Sequence, residues 1–475
     1  MTGSPENGLV IVVKRSCPTC ELVAPVVEQL AQDGVTVYSQ DDPSFPEGVD
    51  VQHDSSLEVS YRLGINIVPT LVELKDGRET RRQEGWLRSG WEEISGTTGL
   101  GVELPAHRPG CGSLSVEPGN AERLEALFGN TLQARRIEFG DAEDEHEALF
   151  ERGWTDGLPV VPPTPKRVLR MLQGTERSAD EVVGQIPPNL APCTVEKAAV
   201  NAVMAGCRPE YLPVVLATVE AACKEEFCMH GLLATTMSNG PVVLVNGPAV
   251  QQLGMATGIN VLGQGNRANA TIGRALQLIV RNVGGGRPGE VDRACFGHPG
   301  KYTFCLAENE EDSPWESFAV ERGFSKKTST VTLFPGEGPR IVVDQLSRTP
   351  DSLTNSFAAC IRTHAHPKLP MVFDVMLVVS PEHARVFNEA GWDKNRLRQE
   401  LVGRLMLSPE ELARGANDMA EGVPESMAGL TLPKVRPEGL LIVYAGGPAG
   451  LFSAIIGGWV NSDMGSDPVT VAVKS

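Results

Sequence analysis

Aromatic residues are sparse in this 475-residue chain, at 5%, and cations are outnumbered: 42 Lys and Arg face 60 Asp and Glu, a net charge of −18. So acidic a chain argues against nucleic acid as a partner and against docking on an anionic membrane surface. No stretch reaches the ~18 consecutive apolar residues of a spanning helix, so no membrane partner is expected. The opening residues, MTGSPENG, lack the basic-then-apolar pattern of a secretory leader, and none is expected. Ten cysteines scattered over this length do not make a disulfide framework. They suit a reducing cytosol, where any disulfide is transient and catalytic, so the expected location is cytoplasmic. What is plentiful is apolar residue (41%), glycine (50) and proline (35). That composition fits sizeable cores joined by many turns, over about three domains.

One stretch stands out, Leu9 to Cys20, LVIVVKRSCPTC. The apolar run Leu9 to Val13 predicts a strand buried on both faces. It breaks at Lys14-Arg15-Ser16 into Cys17-Pro18-Thr19-Cys20, and a helix pattern follows, with Leu22, Val26 and Leu30 on one face. Cys17 therefore falls where a strand hands over to a helix N-terminus, whose unpaired N–H groups and dipole favour thiolate over thiol. Cys20, one helical turn on, can attack a mixed disulfide and release the substrate. A lone CxxC is also half a zinc site, but zinc needs a second pair at similar spacing and none follows nearby. Further along come Val68-Pro69-Thr70 before the strand Leu71 to Leu74, the turn Lys75-Asp76-Gly77-Arg78, Gly85-Trp86 and a short helix near Trp91 to Ile94. Together these segments resemble the thioredoxin family over roughly residues 7 to 98. The resemblance implies that Pro69 is cis and packs against the reactive pair, and that Cys17 attacks while Cys20 resolves.

Residues 99 to 150 read as a linker followed by an acidic helical stretch from Ala121 to Leu149, with Asp141, Glu143, Asp144 and Glu145 on a solvated face. Glycines and two prolines around Cys111 predict a mobile or at least irregular segment. Cys111-Gly112-Ser113 matches three of four positions of the Sec/Cys-Gly-Ser-Cys motif and resembles the bacterial UGSC family; Leu114 stands at the fourth. GWTDGLPVVPPT and PGKYTFCLAENEE, between Gly153 and Trp315, add to that likeness. A selenocysteine counterpart would imply redox or nucleophilic sulfur chemistry at Cys111. The local charge does not obviously help: Arg108 would lower its pKa, while Glu117 would do little.

Residues 151 to 475 read as one large α/β domain with a possible duplication over 211–290 and 350–415. Leu244-Val245-Asn246-Gly247-Pro248 and Leu377-Val378-Val379-Ser380-Pro381 each lead through a helix to a glycine, Gly258 and Gly391. Ala221-Ala222-Cys223 answers Ala358-Ala359-Cys360, with His230 after the first and His364 and His366 after the second. Cys223, Cys228 and His230 also make a loose metal-ligand set, although cysteines in apolar helices are usually core residues. Glycine turns at 263–265 and 446–450 precede helix patterns and suit an anion at a helix N-terminus; the second would begin a helix at Leu451.

The expected fold class is thus α/β, a thioredoxin-like domain followed by a larger α/β domain. The expected function is a thiol-dependent redox enzyme. Cys17 and Cys20 would feed electrons, or support sulfur transfer, by way of Cys111, to a site near His230. There Glu196, Asn269, Gly446 and Gly447 would hold a small-molecule or thiol substrate. An external thiol reductant would recharge the dithiol, and no cofactor or metal is called for. A scaffold that only binds a client and a Cys/His metal-handling protein are the alternatives.

Overall fold

A computed structural model describes residues 7–129, 132–137, 139–140 and 144–474. The chain is α/β and divides into two compact units, Met1–Gln133 and Ala134–Ser475. Among the described residues no helix is long and apolar enough to cross a membrane.

The first unit is built on a five-stranded mixed sheet. Its strands are β1 (Gly8–Val13), β2 (Thr36–Ser39), β3 (Val51–His53), β5 (Thr70–Lys75) and β6 (Arg78–Glu84), in the order β3-β2-β1-β5-β6. Central β1 runs parallel to β2 and antiparallel to β5, so its residues Val10 to Val13 are buried on both faces, as an unbroken apolar run requires. Helix α1 (Pro18–Gln32) lays Val23, Val26, Val27 and Leu30 into the same core. Helices α2 (Glu58–Arg62), α3 (Arg88–Ser95) and α4 (Asn120–Phe128) complete the unit.

Residues 99 to 129 belong to this unit and do not form a free linker. Strand β8 (His107–Arg108) pairs with β7 (Trp86–Leu87), and β9 (Cys111–Gly112) pairs antiparallel with β4 (Ile67–Val68). Leu100 is fully buried in the core, and the Trp86 indole donates to Pro105 O at 2.6 Å. The buried amide of Gln40 donates to Ser60 and Ser113 and accepts from Leu114 N. The segment is irregular, with strands of only two residues; the glycines and prolines permit its turns, and these long-range bonds decide its path. The acidic helix expected from Ala121 to Leu149 is two shorter ones, α4 and α5 (Glu145–Glu151), the latter capped by Asp144. Asp141 and Glu143 lie outside the described residues.

The second unit begins with α5, α6 (Pro165–Leu172), the hairpin β10 (Val182–Ile186) and β11 (Ala191–Thr194), then α7 (Val195–Ala205), α8 (Leu212–Ala222) and α9 (Met229–Ala234). Two four-stranded sheets follow. The first has the order β13-β12-β14-β21, from β12 (Gly240–Asn246), β13 (Cys305–Ala307), β14 (Thr330–Gly336) and β21 (Val469–Ala472). The second has the order β15-β20-β16-β19, from β15 (Arg340–Val343), β16 (Val375–Val379), β19 (Leu440–Tyr444) and β20 (Phe452–Gly457). A small ladder of β17 (Met406–Leu407) and β18 (Leu432–Pro433) lies between β16 and β19 in the chain. Among the helices, α10 (Ala249–Gln252), α11 (Arg267–Asn282) and α12 (Phe318–Glu321) fall within the first half. The second half contributes α13 (Pro350–Arg362), α14 (Pro381–Glu389), α15 (Lys394–Arg404) and α16 (Pro409–Leu412).

The two sheets repeat one hydrogen-bonding pattern. Strands β12 and β16 each have a parallel neighbour on one side, β13 or β19, and an antiparallel one on the other, β14 or β20. The fourth strand of each half crosses to the other sheet, β15 pairing with β20 and β21 with β14. Where β14 meets β20, Gly336 faces Gly458, Glu337 N donates to Gly457 O at 2.8 Å and Trp459 N to Pro335 O at 2.7 Å. Each bond is the image of the other when Gly336 is laid on Gly458. In that overlay Phe334 falls on Ile456, so their cross-strand partners Val242 and Met376 correspond. The expected match of Pro248 with Pro381 is therefore one residue out of register. It would lay Val242, in the core between the sheets, on Val375, which faces α13, α14 and α15. A slip of one residue exchanges the two faces of a strand.

The helix expected after Gly450 is a strand, β20. Two β-branched residues, Ile455 and Ile456, and a place between β15 and β16 outweigh its small residues. At Gly457 an added Cβ would lie 2.0 Å from the ring of the buried His364, whereas at exposed Gly403, inside α15, it would meet nothing. Gly457→Ala should lower stability by about 1–3 kcal/mol through overpacking. Gly403→Ala should raise it by about 0.4–1 kcal/mol through helix propensity and unfolded-state entropy. Urea unfolding midpoints of the two variants check the opposite signs.

Candidate active site

Cys17 is the N-cap of α1, and its sulfur accepts from Cys20 N at 3.4 Å. The turn before it is held by Asp41, whose carboxylate accepts from Arg15 N (2.7 Å) and Ser16 N (3.1 Å). The Val68–Pro69 peptide is cis, and Val68 O lies 3.5 Å from the Cys17 sulfur. Directly opposite Val68 across the β4–β9 pair stands Cys111, with its sulfur 2.7 Å from that of Cys17. Thr19 Oγ1 donates to Pro109 O at 2.7 Å, fixing the approach of this segment to the first turn of α1. Cys17 and Cys20 are fully buried, while Cys111 is half-buried.

This arrangement splits the thiols electrostatically. The hydrogen bond from the Cys20 thiol, helped by the Cys111 thiol and the backbone N–H groups of Cys20 and Thr19, outweighs burial and brings Cys17 down to about 5. Burial pushes Cys20 far up, and its bond to Cys17 adds to this. Cys111 is raised, by burial first and then by Cys17. The expected lowering of Cys111 by Arg108 is thus corrected, because burial first, and then the neighbouring Cys17, outweigh it. Cys17 is thus the thiol favoured as thiolate at neutral pH, with two neutral thiols beside its sulfur. The absorbance of the reduced chain near 240 nm should therefore show one thiolate that titrates with a midpoint near 5 and is lost only below it. A first midpoint at the ~8.5 of an ordinary thiol would count against this charge distribution.

In the second unit the expected substrate residues do not converge. His230 is exposed on α9. Glu196, near the start of α7, accepts from Ala134 N at 2.9 Å. Asn269, on α11, spends its amide on Ala256, accepting from its N and donating to its O. Asn201 bonds Asn282, and Cys207 bonds Thr271, so α7 and α11 run antiparallel with Glu196 and Asn269 at opposite ends of the pair. Gly446 N bonds Thr257 O, and Gly447 approaches Ile259; both lie in the turn between two strands, β19 and β20. Among the described residues no three His, Cys, Asp or Glu are grouped as a metal ion would need, the Cys223, Cys228 and His230 set included.

Sequence reading passed over one polar centre. Glu308, completely buried, accepts from Asn246, Phe318 N and Lys394, and Lys394 also bonds Glu321. Glu308 was visible in an acidic run after β13. Its cation comes from α15, far along the chain, and no local signal connects them. Compared with protein-family models and with characterised proteins, the chain matches none.

Proposed function

We propose that this protein is a thiol–disulfide oxidoreductase with a thioredoxin-like first unit. Cys17 thiolate attacks one sulfur of a substrate disulfide and expels the other as thiolate. Cys20 then loses its proton, attacks Cys17, and releases the second substrate sulfur. Two electrons pass to the substrate, and the Cys17–Cys20 disulfide is left for an external thiol to reduce. The observation that carries this reading is the lowered Cys17 thiol at a helix N-terminus beside the raised Cys20. The cis Pro69 beside the pair supports the likeness to thioredoxins. Cys111, in contact with Cys17, supports a role for a third thiol in the exchange. Delivery to a site near His230 has no geometric support, so the chemistry is assigned to the first unit. The test is reduction of oxidised glutathione by the pre-reduced full chain. One equivalent should be consumed as the Cys17–Cys20 disulfide forms, and none by Cys17→Ser.

A further inference from the structure

Several arginines in the second unit are matched to carboxylates. Arg177 pairs with Glu181 and Glu220, Arg274 with Asp156, Arg404 with Asp351 and Glu400, and Arg436 with Asp374 and Asp467. One cleft of about 500 Å³ gathers four arginines that have no such partner among the described residues. Arg167 and Arg170 reach it from α6, Arg208 from the turn after α7, and Arg267 from the first position of α11. Among the described residues none of the four has a carboxylate oxygen within 4.0 Å. Arg167 and Arg267 bond only backbone carbonyls, those of Pro162 and Gly206. Glu210 is the single acidic residue of the lining, against four guanidinium groups, in a chain with a large acidic excess.

Four like charges drawn together repel one another, and two of them sit three apart on one short helix, where like charges cost stability. Nothing in the core requires this, since all four side chains are exposed. The N-terminus of the sixteen-residue α11 adds its own positive end to the same place. Guanidinium forks match phosphate oxygens in pairs, so four can hold two linked phosphates. Val161, Met171 and Val203 give the cleft an apolar wall, and its volume lies in the range of small-molecule sites.

We propose that this cleft binds a phosphorylated small molecule, with two linked phosphates on Arg167, Arg170, Arg208 and Arg267 and an organic part against Val161, Met171 and Val203. The site is separate from the thiol chemistry and does not depend on it. Isothermal titration of the full chain with inorganic pyrophosphate and with ADP tests it. Both should bind saturably, ADP more tightly, and both more weakly as salt is raised. Arg170→Glu and Arg208→Glu should each weaken binding about tenfold or more. Arg348→Glu, a charge reversal at an exposed arginine outside the cleft, should change nothing. Arg170→Gln with Arg208→Gln is the milder pair should a reversal disturb folding, and it should also lose binding. Failure of both probes to bind the wild-type chain, or binding equal in wild type and the Gln pair, would overturn the proposal. Pyrophosphate binding without any tighter hold on ADP would remove the organic part of the assignment.

Discussion

With Cys20 and Cys111 both changed to Ser, the full chain should capture oxidised glutathione once and hold it. Cys17 keeps its place as N-cap of α1 and its backbone N–H donor from residue 20, and serine hydroxyls replace the two thiol donors. The first exchange therefore proceeds and leaves glutathione bonded to Cys17. No neighbouring sulfur remains to attack that bond, so steady-state turnover should fall at least about 10³-fold, as when a member of a catalytic unit is removed. Peptide mass spectrometry should find a single glutathione adduct, on Cys17. An adduct on another cysteine, or undiminished turnover, would remove Cys17 and Cys20 from the roles given to them.

Cys20→Ser alone should behave differently. The Cys111 sulfur lies 2.7 Å from that of Cys17, and the β4–β9 pair holds it opposite Val68. Once glutathione is on Cys17, Cys111 is the nearest remaining thiol, and its attack releases glutathione with formation of a Cys17–Cys111 disulfide. Its raised pKa slows this step at neutral pH and speeds it as pH rises, because the attacking species is the thiolate. Mapping of the oxidised variant should show the two peptides crosslinked, while the double variant shows the glutathione adduct. A lasting adduct on Cys17 of Cys20→Ser, with Cys111 free at pH 9, would make Cys111 a bystander.

These expectations began with residues close in sequence. Leu9 to Val13 could only be a buried strand, and Cys17-Pro18-Thr19-Cys20 could only start a helix, because periodicity, proline at N1 and a capping side chain act within a turn or two. The α/β class and the strands β12, β16 and β19 were legible for the same reason. Cys111 was singled out by its neighbours Gly112 and Ser113, yet its place beside Cys17 was not, since 94 residues separate them and the two short strand pairs that join them carry no pattern of their own. Glu196 and Asn269 were expected to hold a substrate, and only the fold shows their groups bonded to the backbone of Ala134 and Ala256. The stretch after Gly450 reads as helix from its small residues and folds as β20 because β15 and β16 wait on either side. Likewise the four arginines around the cleft come from three separate stretches, and only the fold brings them together. Local signals determine which elements form; burial and long-range pairing, whose energy depends on partners distant in the chain, decide which side chains meet.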